Sequence, residues 1–143
     1  MRLAARDASG AAGTVDAIVR ILPRVAGTVT VSELVLGTEG ATGFVPRLQY
    51  GSEPVAIGMV EIYGAMKTAT VTASFELAAA ETSPALVTLP GTVQAVRDDL
   101  RVASMQVPIA QMPGGDVVVR AKITVDGKLL DAVRVKTLRK VER

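Results

Sequence analysis

Strict alternation of apolar and polar side chains restricts this chain more than any other feature. Ala69, Val71, Ala73, Phe75 and Leu77 alternate with Thr70, Thr72, Ser74 and Glu76. A period of two sends successive side chains to opposite faces, so the segment reads as a strand with one buried and one wet face. Val117, Val119, Ala121, Ile123 and Val125 alternate in the same way with Val118, Arg120, Lys122 and Thr124. Turn-forming residues recur at Gly10, Gly37/Gly40, Gly51, Gly64, Pro90-Gly91, Gly114-Gly115 and Asp126-Gly127. Patterned strands with frequent turns predict an all-β fold, an antiparallel two-sheet sandwich of about seven to nine strands.

Less regular segments fit the same plan. In Thr28 to Leu36, Val29 and Val31 share one phase and Leu34 and Leu36 the other. One extra residue near Ser32-Glu33, a β-bulge, puts all four on one face. Val55 to Ile62 is apolar on both faces and reads as a central strand. Arg2–Arg6 and Thr14–Ile21 form a hairpin around Asp7-Ala8-Ser9-Gly10, Pro84–Leu89 is a short edge strand, and Arg101–Ala110 precedes the turn Met112–Gly115. In Thr92–Met105, the spacing of Val93, Val96, Leu100 and Ala103 is that of a helix face. A hairpin turning at Asp98-Asp99 is favoured over that helix, because the flanks are strand-like.

The last hairpin admits two registers around Asp126-Gly127. A two-residue loop pairs Ile123 with Leu130 and turns Arg134 inward. A three-residue loop, Val125 to Gly127, pairs Ile123 with Leu129, Val119 with Val133 and Val117 with Val135. It also sets Val118 opposite Arg134 on the outer face. The second register buries more apolar groups and exposes the charge, so it is expected, with positive φ at Gly127.

At 143 residues the chain fits a single domain, 1–143, with 1–21 an N-terminal hairpin packed on it and 138–143 a basic tail. Aromatics are 3% and Trp is absent, so the core is aliphatic. No run approaches the ~18 apolar residues of a membrane-spanning helix, so no transmembrane segment is expected. Absence of Cys excludes disulfides, and absence of His removes the commonest general base and metal ligand. Met1 to Asp7 holds no apolar signal core. Either the protein is cytoplasmic, or this is a module of a longer chain whose signal lies upstream.

Catalytic machinery is not expected. There is no G-x-S-x-G elbow, and the adjacent acids Asp98-Asp99 sit in a turn, where Asp bonds local backbone. Asp7, Asp98, Asp99, Asp116 and Asp126 fall near turns but form no calcium-loop run. Gly10 and Gly13 precede a strand, not the helix a phosphate cradle needs. The expectation is no enzyme, no cofactor and no metal.

Charge is uneven. Residues 120–143 carry a net +5 and residues 1–119 a net −3. Arg134, Lys136, Arg139 and Lys140 are the candidates for contact with an anionic surface. Protection of a sheet edge by charges accounts for them equally simply and is preferred. Nucleic acid and carbohydrate are disfavoured, since Phe44, Tyr50, Tyr63 and Phe75 are the only rings and Phe75 belongs to the core.

Several phrases, taken in order, resemble a C-terminal module of bacterial von Willebrand factor A-related proteins. They are Arg2–Gly10, Gly13-Thr14-Val15, Val31–Gly37, Val60–Gly64, Met112–Ala121 and Val125-Asp126-Gly127. The resemblance spans roughly Arg2 to Thr137. It implies an immunoglobulin-like or fibronectin type III-like sandwich beside a larger adhesive domain, in an exported or cell-envelope protein. No catalytic residue is carried over. The usual aromatic after the Pro-Gly turn is replaced by Val117, which removes a tyrosine-corner bond there. Two functions follow as expectations. One is a non-catalytic structural or protein-interaction module whose partner is a protein or a neighbouring domain. The other is a small module binding an anionic ligand through its basic C-terminal strands.

Overall fold

Each alternating segment forms a strand in the computed structural model. The structure describes residues 2–6, 12–16, 24–26, 29–41, 43–64, 67–130 and 133–141, with backbone alone for the first three spans. In chain order the strands are β1 (Arg2–Arg6), β2 (Ala12–Asp16), β3 (Arg24–Ala26), β4 (Val29–Val31), β5 (Val35–Gly40), β6 (Gly43–Pro46), β7 (Gln49–Tyr50) and β8 (Val55–Gly64). They continue as β9 (Val71–Ala78), β10 (Ala85–Pro90), β11 (Thr92–Arg97), β12 (Leu100–Pro108), β13 (Gly115–Val125), β14 (Lys128–Leu129) and β15 (Arg134–Lys140). Fifteen strand segments occur among the described residues, more than the expected seven to nine; a bulge separates β4 from β5 and Gly91 separates β10 from β11. Among the described residues there is no helix, and hence none long and apolar enough to cross a membrane.

Two sheets share one core. The first runs β10-β9-β13-β15-β7, with β14 on β13. The second runs β11-β12-β8-β4-β3, with β5 on β8 and β6 on β5. Phe75, Val119, Ile123 and Leu138 of the first meet Val31, Leu36, Val60, Ile62 and Val107 of the second in a single buried cluster. Each such side chain contributes roughly 1.5–3 kcal/mol when fully buried. The arrangement is sandwich-like. It is not wholly antiparallel as expected, because β15 pairs with β7 in parallel at Arg139–Gln49 and Lys140–Tyr50. β1 and β2 form their own two-stranded sheet, in register from Arg2–Asp16 to Arg6–Ala12. The predicted turn Asp7–Gly10 and the reach of its second strand to Ile21 lie outside the described residues.

The predicted bulge is present. Val31 faces Ile62 and Val35 faces Met59, so Ser32, Glu33 and Leu34 stand opposite only Val60 and Glu61. Val29, Val31, Leu34 and Leu36 are consequently all buried. Ser32 holds the irregular step in place. Its N–H donates to the Glu61 carbonyl at 2.8 Å, and its Oγ accepts the Glu61 N–H at 2.8 Å. β8 is central, flanked by β12 on one side and by β4 and β5 on the other. Thr92–Met105 is the expected hairpin, with Arg97 facing Leu100 across Asp98-Asp99.

β10 lies on an edge as predicted, and it continues through Gly91 into β11, the edge of the other sheet. Only glycine fits at this corner. A Cβ there would stand 2.7 Å from a Phe75 ring carbon and 2.9 Å from the Ala73 Cβ. Tyr50, buried beside β5, donates its hydroxyl to the Gly37 carbonyl at 3.1 Å and to the Arg47 carbonyl at 3.3 Å. Burial, reinforced by the Glu53 charge, pushes that hydroxyl up to about 12.

The expected three-residue loop is corrected. Thr124 faces Leu129 and Val125 faces Lys128, and the Leu130 N–H donates to the Ile123 carbonyl at 2.8 Å. The loop is therefore Asp126-Gly127, with φ of 49° and 78°. Positive φ at both residues is a type I′ turn, whose twist matches that of the paired strands. Gly127 has the expected positive φ, but within a different loop. Asp126 also ties the turn to the start of β9, accepting the Thr70 N–H at 2.8 Å. Beyond Leu129 the returning chain carries two more residues than β13 before Ala121 faces Arg134. An even excess preserves the phase, so Arg134 points inward with Ala121 and Leu138.

Candidate functional site

The four basic residues named as candidates for an anionic surface fall on both faces of β15. Arg134, Lys136, Leu138 and Lys140 share the inward phase of β15, and Leu138 is fully buried. Arg134 is 5% exposed. Its guanidinium donates to the Val31 carbonyl and to Glu33 Oε1 at 3.3 Å, bridging the two sheets at the bulge. Arg134 on the outer face is thus corrected. These two bonds offset only part of the cost of taking the cation out of water, since the Arg134 Nε is buried with no hydrogen-bond partner among the described residues. Lys140 donates to the Ile109 carbonyl at 3.0 Å. Arg139 alone points outward, gripping both oxygens of Asp116 at 2.6 and 2.8 Å. That grip holds the Asp116 carboxyl below its usual range. Lys136 lines an open groove of about 740 Å³ with Glu33, Val35, Pro46 and Leu48. Leu138, Arg139 and Lys140 belong to β15, while residues 142 and 143 lie outside the described residues.

The wet face assigned to β9 also needs correction at Glu76, which is 9% exposed. It accepts from Lys122 and lies 2.8 Å from the Arg120 guanidinium, both across the β9–β13 pairing. Arg120 reaches on to the Glu81 and Ser83 carbonyls at 3.0 and 2.9 Å. The Lys122 bond, followed by the two positive charges, holds the Glu76 carboxyl below its usual range. The turn acids Asp98 and Asp99 are exposed and paired with Lys67 and Arg97 respectively.

Two surfaces remain that these internal pairs do not satisfy. The first is the outer edge made by β10 and β11. Leu86 is 68% exposed, Val87 46% and Val96 60%. No charged residue occurs from Thr82 to Val96. Leu86, Val87 and Leu89 meet Val107, Pro108 and Met112 around an apolar cleft of about 270 Å³ between the sheets. Sequence reasoning places β10 on an edge but passes over its lack of charge.

The second is a groove of about 710 Å³ at the bulge, lined by Val35, Phe44, Met59, Glu61, Tyr63 and Arg134 among others. Phe44 lies across Gly37, where a Cβ would come within 2.5 Å of its ring. The Tyr63 hydroxyl donates to the Glu61 carboxylate, which pushes the phenol upward.

No protein family and no curated protein matches the chain. Among solved structures, an endo-beta-1,4-mannanase from Thermotoga petrophila superposes with a TM-score of 0.47 at 7% identity. The match covers 78% of this chain and 20% of that one.

Proposed function

We propose that this chain is a non-catalytic protein-interaction module of an exported bacterial protein. It is an immunoglobulin-like or fibronectin type III-like sandwich, similar to the C-terminal modules of von Willebrand factor A-related proteins. The observation that carries this proposal is the uncharged outer edge of β10, with Leu86 and Val87 exposed beside an apolar cleft. Edge strands offer unpaired N–H and C=O groups, and stable proteins commonly guard them with Lys or Glu. This edge has no such guard, only Pro84 and Pro90 at its two ends. An extended segment of a partner adds to it as a further strand, main-chain bonds giving affinity and the cleft taking alternate side chains. An anionic-surface role for Arg134, Lys136, Arg139 and Lys140 has less support, because three of the four are bonded within the chain.

The native reading frame provides the first test, since a signal peptide and a type A domain are expected upstream. Purified type A domain is then titrated into this chain and into a Leu86→Lys, Val87→Lys variant. Binding is expected for the former and lost for the latter. Undiminished binding by the charged-edge variant overturns the assignment to β10, and a reading frame with no export signal overturns the exported role.

A further inference from the structure

Among the described residues, the acids least exposed to solvent are matched to cations with one exception. These least exposed acids are Glu53, Glu61 and Glu76. Glu53 has Arg47 at 2.5 Å, and Glu76 has Lys122 and Arg120. Glu61 has no cation among the described residues; its carboxylate meets only the Tyr63 hydroxyl. It lies in the groove at the β4–β5 bulge, among Val35, Phe44, Met59 and Tyr63. Arg134, which lines the same groove, is engaged by Glu33 and the Val31 carbonyl. The apolar side chains that line the groove offer this carboxylate no further partner. Two rings beside it add faces that attract a cation.

We infer that this groove receives a lysine side chain of a partner protein, its ammonium against Glu61 and its methylene stem along Val35, Met59 and Phe44. The match is one of charge and of shape. A lysine has an apolar stem that packs on apolar surface and a compact charged head. The groove supplies an apolar lining and a single negative charge left over once Glu33 and Arg134 have paired. Glu33, at the rim with its side chain 67% exposed, is taken up by Arg134 and leaves the charge of Glu61 to the ligand. This site is on the face of the second sheet, away from the β10 edge of the first. The two proposals therefore stand or fall separately.

The probe is a blocked pentapeptide, acetyl-Ser-Val-Lys-Val-Ser-amide, with a control in which norleucine replaces lysine. Binding is followed by backbone amide shifts in NMR spectra of the full chain. Shifts are expected at Ser32, Phe44, Glu61 and Tyr63 with the lysine peptide. Glu61→Gln, which keeps an acceptor for Tyr63, is expected to weaken binding about tenfold or more, equivalent to about 1.4 kcal/mol. Glu33→Gln, which removes the charge facing Arg134 but leaves Glu61 in place, is expected to weaken it less, its fold being checked first in the same amide spectrum. Equal binding of the norleucine peptide overturns the proposal, as does unchanged affinity in a folded Glu61→Gln protein. Shifts confined to β10 and β11 also overturn it while leaving the edge proposal intact.

Discussion

At the scale of single residues, the molecule depends on a few polar side chains that complete what the backbone leaves open. Ser32 is the plainest case. The bulge breaks the ladder between β4 and β8, and the Ser32 Oγ takes the Glu61 N–H that would otherwise lack a partner. It also donates to the Glu33 carbonyl at 2.9 Å. Leaving a buried donor unpaired costs about 1–3 kcal/mol. Ser32→Ala is therefore expected to destabilise the domain by about that amount, measured by urea unfolding. Ser32→Thr, which keeps the oxygen, is expected to lose much less. Equal losses for the two variants would show that the hydroxyl does not hold the bulge. The bulge itself is legible from Val29, Val31, Leu34 and Leu36, because two apolar pairs of opposite phase reach one face only if an extra residue intervenes. The Ser32 bond is not legible, because it depends on which residue of β8 lies opposite.

At the scale of elements, the strands with a clean period of two fall where the alternation puts them, and the failure comes at the last hairpin. Counting buried apolar groups favours the register with Arg134 outside. That count treats an inward arginine as uncompensated. Its partners, Glu33 and the Val31 carbonyl, lie about a hundred residues earlier, on the other sheet. The same blindness hides the burial of Glu76, whose cations sit on β13. Local turn chemistry is the better guide, since Asp-Gly is a favoured pair for a type I′ turn. Gly127 has φ of 78° with nothing near its absent Cβ, so the demand there is purely conformational. A β-branched residue tolerates that region poorly. Gly127→Val is expected to cost about 1–3 kcal/mol, read from the thermal unfolding midpoint. Gly127→Asn, which enters the left-handed region more readily, is expected to recover part of the loss. A valine variant as stable as the parent would mean the turn is not of this type.

At the scale of the whole molecule, the basic C-terminal stretch 120–143 and the acidic remainder answer each other. Glu33 meets Arg134, Glu76 meets Arg120 and Lys122, and Asp116 meets Arg139. The charge asymmetry of the sequence thus works largely as internal cement, and acid should dissolve it. Glu76 gives the sharpest test, because its carboxylate is nearly buried and held below the usual value of 4.5 by Lys122 and Arg120. A carboxylate with a lowered value in the folded state adds stability that is fully present above its unfolded value. That contribution disappears as pH falls through the lowered folded value. Glu76→Gln removes it at every pH. The variant is expected to be less stable than the parent at neutrality by about 1–3 kcal/mol, the cost of losing a charge-assisted bond from a nearly buried site. Other acids titrate in both proteins and cancel in the difference. The gap between the two urea midpoints should hold from neutrality down to about 4.5 and close below it. A gap that stays constant through the acid range would mean that the Glu76 charge contributes nothing to holding β9 against β13.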